Sequence, residues 1–495
     1  MTLEPRLLFG NSFSQIVNID PALIRVLQFD LAFQASPSGP GSSIGDQGGS
    51  WVPLLQNEGY IPSGLVPELE KLLLRYGIAP TRVDMRKRPD EEVPRHSTIQ
   101  LRPYQENLVK LALLKERGII DAVPRSGKTR ILTSILDRNP LKTLWVAPTK
   151  AIVHQTYAVL KQLLSAGPEE IQEVVGGWPK IQLDQHGDEV PGPALDRAVK
   201  LFDSWILVTT AATAAKAPKA FFDTRHILIQ DESHHAIASE AGLYAQINGK
   251  ADNIYYRYGA TGTHFRSEER TEILMDALLS EVIGSVSVQE LVDLNFLTPA
   301  SVAFVPIDGP LLGPQSYHSA YQFGIELQQQ RNDLIVWCAQ ALLSLGKRVL
   351  VLVKHVEHGA RLAERIPGAV FVKGANVDFT DAEVQSAIQG FNSGAHNCLV
   401  GTSVLGEGID LPAADALIYA KGGSARVTVT QDLFRVLTAS PGKKRSIVID
   451  FADRHQEMLR QQSVARGNIY AAEESFSVDV LGSPLDLTAW LSSHA

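Results

Sequence analysis

Cysteine and long apolar runs are both scarce in this sequence. The 495 residues include only two cysteines, Cys338 and Cys398, which give no disulfide framework and fit a reducing compartment. No stretch reaches the roughly eighteen consecutive apolar residues that would suggest a membrane span. The opening "MTLEPRLLFGNSFSQ" has no basic segment followed by an apolar run, which is the pattern of a secretion signal. We therefore expect a cytoplasmic protein with no membrane partner.

A surplus of positive charge is also missing. The chain has 46 Lys and Arg against 54 Asp and Glu, for a formal net charge of -8. This excludes a protein that coats nucleic acid through bulk charge, although a local groove of backbone amides and a few cations is still compatible with it. The hydrophobic fraction of 44% is ordinary for a folded protein. A chain of this length suits roughly two to four domains.

Changes in composition divide the chain into segments. The Gly/Ser/Pro-rich stretch at residues 34–50 reads as a loop within an N-terminal domain, because patterned apolar sequence continues on both sides. The following "GLVPELEKLLLRYGIAP" predicts an amphipathic helix ended by Gly77 and Pro80. The charged, proline-bearing "RVDMRKRPDEEVPRHST" then predicts a linker. Its cations could contact a duplex arm, or could simply be solvated: Arg82, Arg86, Lys87 and Arg88.

From about residue 97, short aliphatic strands alternate with helical segments. The predicted strands lie in "TLWVAPT", "WILVTT", "HILIQDE", "RVLVLVKH", "AVFVKG", "NCLVGTS", "ALIYAKG" and "RSIVIDF". Such alternation is typical of βαβ units and parallel sheets. A change of texture at "QELVDLNFLTPASVAFVPIDGP" predicts the connection between two α/β domains. The expected domains are 1–96 (accessory domain and linker), 97–295 (first α/β domain), 296–455 (second α/β domain) and 456–495 (C-terminal extension).

One segment, "GIIDAVPRSGKTRILTSIL", has the pattern of a phosphate-binding loop. An apolar strand runs into a helix through "SGKT", and such a junction presents backbone N–H groups and a helix N-terminus to a phosphate. Lys128 would reach the terminal phosphates, and the Thr129 hydroxyl would bind magnesium. The match is imperfect, because Ala122 and Arg125 stand where glycine is common. An ordinary helix start is the alternative.

A second segment, "HILIQDESHH", places two carboxylates at the end of an aliphatic strand. The carboxyl ends of parallel strands open onto the ligand crevice, so Asp231 and Glu232 are expected at a site, although they could instead cap a helix. A zinc site is disfavoured, because His234 and His235 are adjacent and point to different sides. A phosphate loop and an Asp-Glu pair on one sheet together predict a site for magnesium and a hydrolytic water.

The motifs of the chain, taken in order, resemble those of the superfamily 2 helicases and translocases over roughly residues 97–455. The matching segments are "LRPYQ", "VPRSGKT", "APTKAIVHQ", "VTT", "DESH", "GATGT", "VLVKH" and "GTSVLGEGIDLP". The resemblance implies an α/β fold of two tandem RecA-like parallel-sheet domains with a small α+β N-terminal accessory domain. It also implies an ATP hydrolase that uses ATP and Mg²⁺.

The resemblance assigns expected roles residue by residue. The expected catalytic residues are Lys128, Asp231, Glu232 and Arg435, and the expected metal ligands are Thr129 and Asp231. The expected nucleotide contacts are Arg102, Gln105, Arg125, Ser126, Gly127, Lys128, Thr129, Gly408, Asp410 and Gln431, with Gln105 on the adenine edge. The expected nucleic-acid contacts are Pro148, Thr149, Gln155, Thr210, Lys354 and Thr402.

The last family motif is altered in "TVTQDLFRVLTASPGKKR". Gln431 and Arg435 match the pattern, whereas Phe434 replaces a glycine and Thr438 replaces the second arginine. An arginine finger contributes about 10³- to 10⁵-fold to the rate, so the substitution puts turnover in doubt. Three later cations could substitute for it or could form a solvated basic hairpin: Lys443, Lys444 and Arg445.

Within the superfamily, the narrower resemblance is to the phage UvsW-type recombination and branch-migration helicases. It rests on "YIPSGLVPELEKLLLRYG" and "VLVKHVEHGARLAERI". The implied function is an ATP-dependent helicase or translocase on branched, forked or single-stranded DNA in recombination, repair or replication restart. It would act as a monomer, in the host cytoplasm if a phage encodes it. The alternatives are an XPB-like double-stranded DNA translocase, a nucleotide-gated binding protein with weak hydrolysis, and RNA as the substrate.

Overall fold

The structure, a computed structural model, divides into two compact units, Met1–Val286 and Ser287–Ala495. It describes residues 4–34, 51–90, 99–167, 169–180, 192–237, 241–262, 270–309, 313, 316–374, 381–402, 405 and 411–494. The boundary expected after residue 295 lies inside the second unit. Each unit is built around one seven-stranded sheet.

The N-terminal part of the first unit is a small α+β domain. Its main sheet has the order β5-β2-β1-β6, and β3 pairs with β4 in a separate antiparallel ladder. The elements are β1 (Arg6–Phe9), β2 (Phe13–Val17), α1 (Pro21–Asp30), β3 (Ala32–Gln34), β4 (Trp51–Pro53), β5 (Tyr60–Pro62), α2 (Val66–Arg75) and β6 (Thr81–Asp84). Helix α2 confirms the predicted amphipathic helix: Val66, Leu69, Leu72 and Leu73 are buried on one face. The chain leaves it at Gly77, whose φ of +73° suits glycine.

The rest of the first unit is an all-parallel sheet with the order β13-β7-β12-β11-β8-β10-β9. Its strands are β7 (Arg117–Ala122), β8 (Thr143–Ala147), β9 (Ile171–Val174), β10 (Ile206–Thr210), β11 (Ile227–Asp231), β12 (Tyr256–Thr261) and β13 (Val282–Val286). Its helices are α3 (Pro103–Lys115), α4 (Lys128–Arg138), α5 (Lys150–Leu163), α6 (Pro193–Asp203), α7 (Ala211–Ala214), α8 (Lys219–Asp223), α9 (Ala241–Lys250) and α10 (Ile273–Leu279). Every residue of β8 and β11 is buried, as expected for strands covered on both faces.

The second unit has a second all-parallel sheet, with the order β16-β17-β15-β18-β19-β14-β20. Its strands are β14 (Ala300–Ile307), β15 (Val349–Leu352), β16 (Ala369–Val372), β17 (Cys398–Gly401), β18 (Ala416–Tyr419), β19 (Ser446–Asp453) and β20 (Phe476–Val480). Its helices are α11 (Val288–Asp293), α12 (Tyr317–Tyr321), α13 (Gln329–Ser344), α14 (Val356–Arg365), α15 (Asp381–Ser393), α16 (Arg426–Phe434), α17 (Glu457–Ala471) and α18 (Leu487–His494). The two sheets and the small N-terminal domain confirm the expected fold class.

Two segments have more structure than the sequence suggested. The segment expected to connect the domains contains β14, in which all eight residues are buried and which lies between β19 and β20. The apolar pattern of the sequence did not identify this strand. The expected C-terminal extension contributes β20 to the sheet, and Arg466 on α17 forms a buried ion pair with Asp450 at 2.8 Å.

Buried contacts join the N-terminal domain to the parallel-sheet domain of the first unit. The apolar core of the small domain includes Ile273 and Ala277 on α10. Arg117 donates to the carbonyl oxygen of Asn11 at 3.2 Å, and Arg257 donates to Ser12 Oγ at 2.7 Å. Both arginines are buried. The accessory domain therefore supplies hydrogen-bond acceptors to the interior of its neighbour.

The basic linker is also part of this junction. The Arg86 side chain is 11% exposed, and it donates to Asp84 and to Glu116. Its guanidinium lies 4.6 Å from the Phe9 ring centroid and 4.4 Å from that of Tyr255. The alternative of a simply solvated cation is wrong for Arg86, because its charge and its faces are occupied within the unit. Its contact with a duplex arm stays a prediction. Its neighbours also have partners: Arg82 lies over Phe9, Lys87 donates to Asn253, and Arg88 approaches Glu116.

The remaining expectations concern thiols and membrane spans. Cys338 and Cys398 are buried free thiols, and burial raises the pKa of Cys398 to about 12. Within the described part of the chain, no helix combines the length and the apolar character that crossing a bilayer requires.

Removing residues 1–96 should lower the thermal stability of the remaining chain. The truncation uncovers Ile273 and Ala277 and removes acceptors from Arg117 and Arg257, and each orphaned buried group costs about 1–3 kcal/mol. Scanning calorimetry of the truncated and full chains would measure the shift.

The matched control is Lys71→Ala, which breaks two exposed ion pairs of Lys71, one to Glu281 across the same junction and one to Glu68 within α2. That change should alter the free energy of unfolding by less than about 1 kcal/mol. A truncated chain that melts like the full one would show that the small domain is independent.

The second unit should lose stability as the pH falls through the range from about 6.5 to 3. Burial lowers the pKa of His358 to about 3, and its Nε2 lies 2.8 Å from Asn332 Oδ1. The unfolded histidine takes up a proton near pH 6.5, so the unfolded state binds more protons below that value. The loss at pH 5 relative to pH 8 should be about 2 kcal/mol.

Urea unfolding at both pH values would test this with His358→Gln, which keeps a side-chain N–H donor and does not titrate. The pH difference should shrink by about 2 kcal/mol in that variant. The control, His318→Gln, changes an exposed histidine and should leave the difference as in the wild type. An equal pH difference in all three proteins would contradict the assignment.

Candidate nucleotide and nucleic-acid site

The phosphate-loop motif lies between β7 and α4, at the carboxyl edge of the first sheet. Arg125 and Gly127 both have left-handed backbone, with φ of +69° and +83°. A Cβ on Gly127 would lie 2.5 Å from Gln105 Nε2, so a larger residue would displace that side chain. Helix α4 begins at Lys128, and the N–H groups in the first turn of a helix have no carbonyl partner within it, which suits them to bind a phosphate.

Residues of the "LRPYQ" segment make hydrogen bonds to the phosphate loop. Gln105 Nε2 and the Tyr104 hydroxyl each donate to the carbonyl oxygen of Ser126 at 2.8 Å. Gln105 Oε1 also accepts from the backbone N–H of Arg102 at 3.0 Å, and Arg102 donates to the Tyr104 hydroxyl. The buried Gln105 amide therefore positions the loop, while its contact with adenine stays a prediction. The sequence did not identify a role for Tyr104, although this residue lies within the "LRPYQ" motif.

The loop lysine and the strand-end carboxylates meet in the first unit. Lys128 Nζ lies 2.7 Å from Glu232 Oε1, and the two side chains are 10% and 19% exposed. Burial, and then the like charge of Glu232, raise the pKa of Asp231 to about 6, whereas Lys128 lowers it. Two acids and one cation therefore share a confined space at the ends of β7 and β11.

Glu232 is held by an unusual backbone conformation. Its φ is +46°, a region that few residues other than glycine adopt, and its N–H donates to Asp231 Oδ1 at 3.0 Å. Such strain persists only where the surrounding structure enforces it, and it is frequent at functional sites. The turn directs the Glu232 carboxylate towards the lysine.

The residues at the loop fit a magnesium ion. Mg²⁺ is usually bound by one or two protein oxygens together with substrate phosphates and waters. The half-buried Thr129 hydroxyl and the Asp231 carboxylate are donors of this kind. The buried Ser126 Oγ has no hydrogen-bond partner among the described residues, which leaves a polar atom available to a ligand. Among the described residues, no group of three acidic, histidine or cysteine side chains is arranged for a metal.

The "DESH" and "GATGT" motifs are in contact. His234 Nδ1 lies 3.2 Å from Thr261 Oγ1 and 3.5 Å from Glu232 Oε2, and Ser233 Oγ donates to the Ala260 carbonyl oxygen at 3.3 Å. The sequence predicted both motifs but did not identify His234 as the side chain that joins them. Thr263, the last residue of the second motif, lies outside the described residues.

The expected nucleic-acid contacts of the first unit lie on neighbouring strands. β8 and β10 are paired, with Ala147 opposite Thr210. Thr210 is the last residue of β10, and Thr149 follows the end of β8, so both lie at the same edge of the sheet. Thr149 is exposed and caps α5, accepting from the Ile152 N–H at 3.3 Å. Gln155 is exposed on α5, whereas Pro148 is buried. The geometry brings these residues together, and their contact with nucleic acid stays a prediction.

The second unit repeats this arrangement at its own sheet edge. Lys354 follows β15, and Thr402 directly follows β17, the strand paired with β15. Lys354 is exposed and Thr402 is buried. The expected nucleotide contacts Gly408 and Asp410 lie outside the described residues. Gln431 is half-buried on α16.

The altered last motif leaves Arg435 as its one matching arginine. Arg435 is 6% exposed, directly after α16. Lys443 donates to the carbonyl oxygens of Ala414, Val436 and Thr438. Arg445 donates to Ser301, Ala300 and Ser477. Lys443 and Arg445, two of the three cations that could replace the second arginine, therefore have hydrogen-bond partners within the second unit. The alternative of a solvated hairpin is wrong for these two. Only Lys444 of the three is exposed.

Two family profiles match the chain. One, described as "Type III restriction enzyme, res subunit", covers residues 98–266, and "Helicase conserved C-terminal domain" covers residues 333–437. Together they include the loop, the Asp-Glu pair and the altered last motif.

Two relatives are similar over most of the chain. The "Putative DNA 3'-5' helicase Rad25" of Halobacterium salinarum is 25% identical over 416 residues, which are 82% of this chain and 63% of that protein. The "DNA 3'-5' translocase XPB2" of Sulfurisphaera tokodaii is 22% identical over 375 residues, 68% of this chain and 79% of that protein. The match with the Halobacterium protein thus spans less than two thirds of its length.

Solved structures also align with this chain. The "ATP-dependent Type ISP restriction-modification enzyme LlaBIII bound to DNA" aligns with a TM-score of 0.55 and 15% identity, over 81% of this chain and 32% of that one. The structure of T4 UvsW aligns with a TM-score of 0.45 and 17% identity, over 97% of this chain and 99% of that one. The ordered motifs, the two profiles and the two parallel-sheet units agree: the chain belongs to superfamily 2, the ATP-dependent helicases and translocases.

Proposed function

We propose that the chain is an ATP-driven DNA helicase or translocase that acts on branched or forked DNA. The observation that supports this best is the contact between Lys128, at the end of the phosphate loop, and Glu232, which follows Asp231, at 2.7 Å. A general base and a phosphate-binding cation in direct contact are suited to hydrolysing a phosphoanhydride.

The ion pair itself suggests how nucleotide would start the reaction. A terminal phosphate carries more negative charge than a carboxylate, so it competes with Glu232 for the Lys128 ammonium. Lys128 then binds the phosphate, and Glu232 is released to accept a proton from the attacking water. Gln105 and Tyr104 keep the loop in place through Ser126 while this exchange occurs.

Thr129 and Asp231 would hold the magnesium ion, which supplies charge neutralisation at the phosphates when bound. His234 connects this carboxylate cluster to Thr261 on the neighbouring strand. We propose that this contact reports the state of Glu232 to the "GATGT" segment. Arg435 would neutralise charge that develops on the transferred phosphate.

DNA is the proposed substrate because two similar proteins carry names that specify it, a DNA helicase and a DNA translocase. Polar groups lie at the edge of each sheet. The first unit offers the hydroxyls and amides of Thr149 and Thr210, and the second offers Thr402 and the ammonium of Lys354. Such groups contact sugar and phosphate and carry no sequence information. We therefore propose structure-selective binding by a monomer, in recombination, repair or replication restart.

A nucleotide-gated binding protein with weak hydrolysis is the second candidate. The observation that favours it is the position of Thr438, where the family has a second arginine, together with the structural engagement of Lys443 and Arg445. DNA-stimulated release of phosphate discriminates between the two: the translocase requires it, and the binding protein does not.

Lys128→Ala should abolish ATP turnover, because it removes the cation that the phosphate requires. Glu232→Gln should keep ATP binding and reduce turnover by about 10²- to 10⁴-fold, the usual contribution of a general base. Fluorescent-nucleotide titration would measure binding, and phosphate release with and without DNA would measure turnover.

The control for these variants is Glu58→Gln, an exposed change in the same unit that should leave both values unaltered. Turnover by Glu232→Gln at the wild-type rate would remove Glu232 from the role of base.

Arg435→Ala should reduce turnover by about three decades or more with little change in ATP affinity, if Arg435 alone supplies the charge of the finger. Steady-state kinetics and nucleotide titration would separate the two effects. Turnover within about threefold of the wild type would assign the role to another cation, with the exposed Lys444 as the first to test.

Lys443→Met is the matched control. Lys443 satisfies three carbonyl oxygens, so its loss should lower the melting temperature of the protein, whereas turnover well below that temperature should stay near the wild-type value. Arg435→Ala should show the opposite pattern.

A further inference from the structure

A tyrosine on the second unit occupies an unusual position beside the expected nucleic-acid contact Lys354. Between β14 and α13 the chain forms the short helix α12, which continues into a wide helical turn at Gln322–Glu326. Turns of this width are uncommon and are frequent at functional sites. Tyr317 begins α12 and is 39% exposed, whereas Tyr321, one turn later, is 1% exposed.

The two tyrosines and Lys354 form one cluster. Lys354 Nζ lies 4.8 Å from the centroid of each ring, and it donates to the Tyr317 hydroxyl at 3.2 Å. The buried Tyr321 is fixed from the other side, because its hydroxyl donates to the Lys421 carbonyl oxygen at 2.8 Å and its ring contacts His355 at 5.1 Å. Tyr321 thus forms a rigid base for the outer ring.

The surroundings of the cluster suit a polyanion. Lys354 and Lys373 follow β15 and β16, which both pair with β17 and whose carboxyl ends are in register at one edge of the sheet. Two acids beside the cluster have partners: Glu326 Oε1 lies 2.6 Å from His355 Nδ1, and Asp432 lies 2.6 Å from the Lys421 ammonium, whose charge it balances. An exposed aromatic ring next to cations is the combination that binds unpaired nucleotides.

A purely structural role explains Tyr321 better than Tyr317. A ring that serves only packing gains stability by being buried, and Tyr321 is buried. The outer ring leaves more than a third of its surface exposed, next to an ammonium group that is itself exposed.

We propose that Tyr317 is a stacking platform for one unpaired base of a single strand, with Lys354 binding the adjoining phosphate. This inference rests on the proposed function, because it assumes that the second unit contacts nucleic acid. The platform adds a contact to a base, whereas the groups named in the proposed function contact only sugar and phosphate. Stacking on tyrosine tolerates every base, so the platform is compatible with the absence of sequence preference.

The test compares two strands of equal charge: a thymine oligonucleotide and the same sugar-phosphate chain with abasic units. Tyr317→Ala should weaken binding of the thymine strand about tenfold or more, the loss expected for one stacked base. Binding of the abasic strand should not change. Tyr317→Phe keeps the ring and should retain most of the affinity for the thymine strand.

Two further variants serve as controls. Lys354→Ala should weaken the binding of both strands, because the phosphate contact does not depend on the base. Tyr60→Ala removes a tyrosine of similar exposure, 44%, from the first unit and should change neither affinity.

The outcomes separate the two proposals. If Tyr317→Ala binds both strands as the wild type does, or loses equal affinity for both, the platform is overturned while the proposed function stands. If the wild-type chain binds no strand and its ATP turnover ignores DNA, the proposed function fails first. A lower melting temperature in Tyr317→Ala, accompanied by equal loss on both strands, would assign Tyr317 a structural role and would also overturn the platform.

Discussion

The burial of parallel strands on both faces is the constraint on which the rest of this structure depends. Strands such as β8 and β11 are buried on both faces, so side chains that are to contact a ligand lie where the strands end. Asp231 closes β11, Thr210 closes β10, and Lys354 follows β15. Chemistry is therefore confined to one edge of each sheet, and the loops at that edge determine which reaction it supports.

The sequence predicts best those features that are local along the chain. Aliphatic runs identified eight strands, and the "SGKT" and "DESH" segments identified Lys128 and Glu232, which the structure brings to 2.7 Å from each other. β14 was not among these strands, although all of its residues are buried. The spacing of apolar residues along the chain does not by itself show which other strands a strand pairs with.

Contacts that join distant parts of the chain are harder to predict from the sequence. The linker sequence shows that Arg86 is basic, but its stacking between Phe9 and Tyr255 depends on how two domains pack. The same is true of Arg445, whose acceptors Ser301, Ala300 and Ser477 lie on β14 and β20. Gln105 illustrates a third case: its motif predicts a nucleotide contact, whereas the structure adds a positioning role through Ser126. Tertiary packing decides whether a cation is available to a ligand or already has partners.

The two buried thiols have a practical consequence. Cys338 and Cys398 are at most 1% exposed, and burial raises the pKa of both, so the reactive thiolate is scarce at neutral pH. The native chain should therefore react slowly with maleimide dyes, and cysteines introduced at the surface would be labelled against a low background. One such cysteine in each unit would carry a donor and an acceptor fluorophore. Energy transfer between them would then show whether the distance between the two units changes when nucleotide binds.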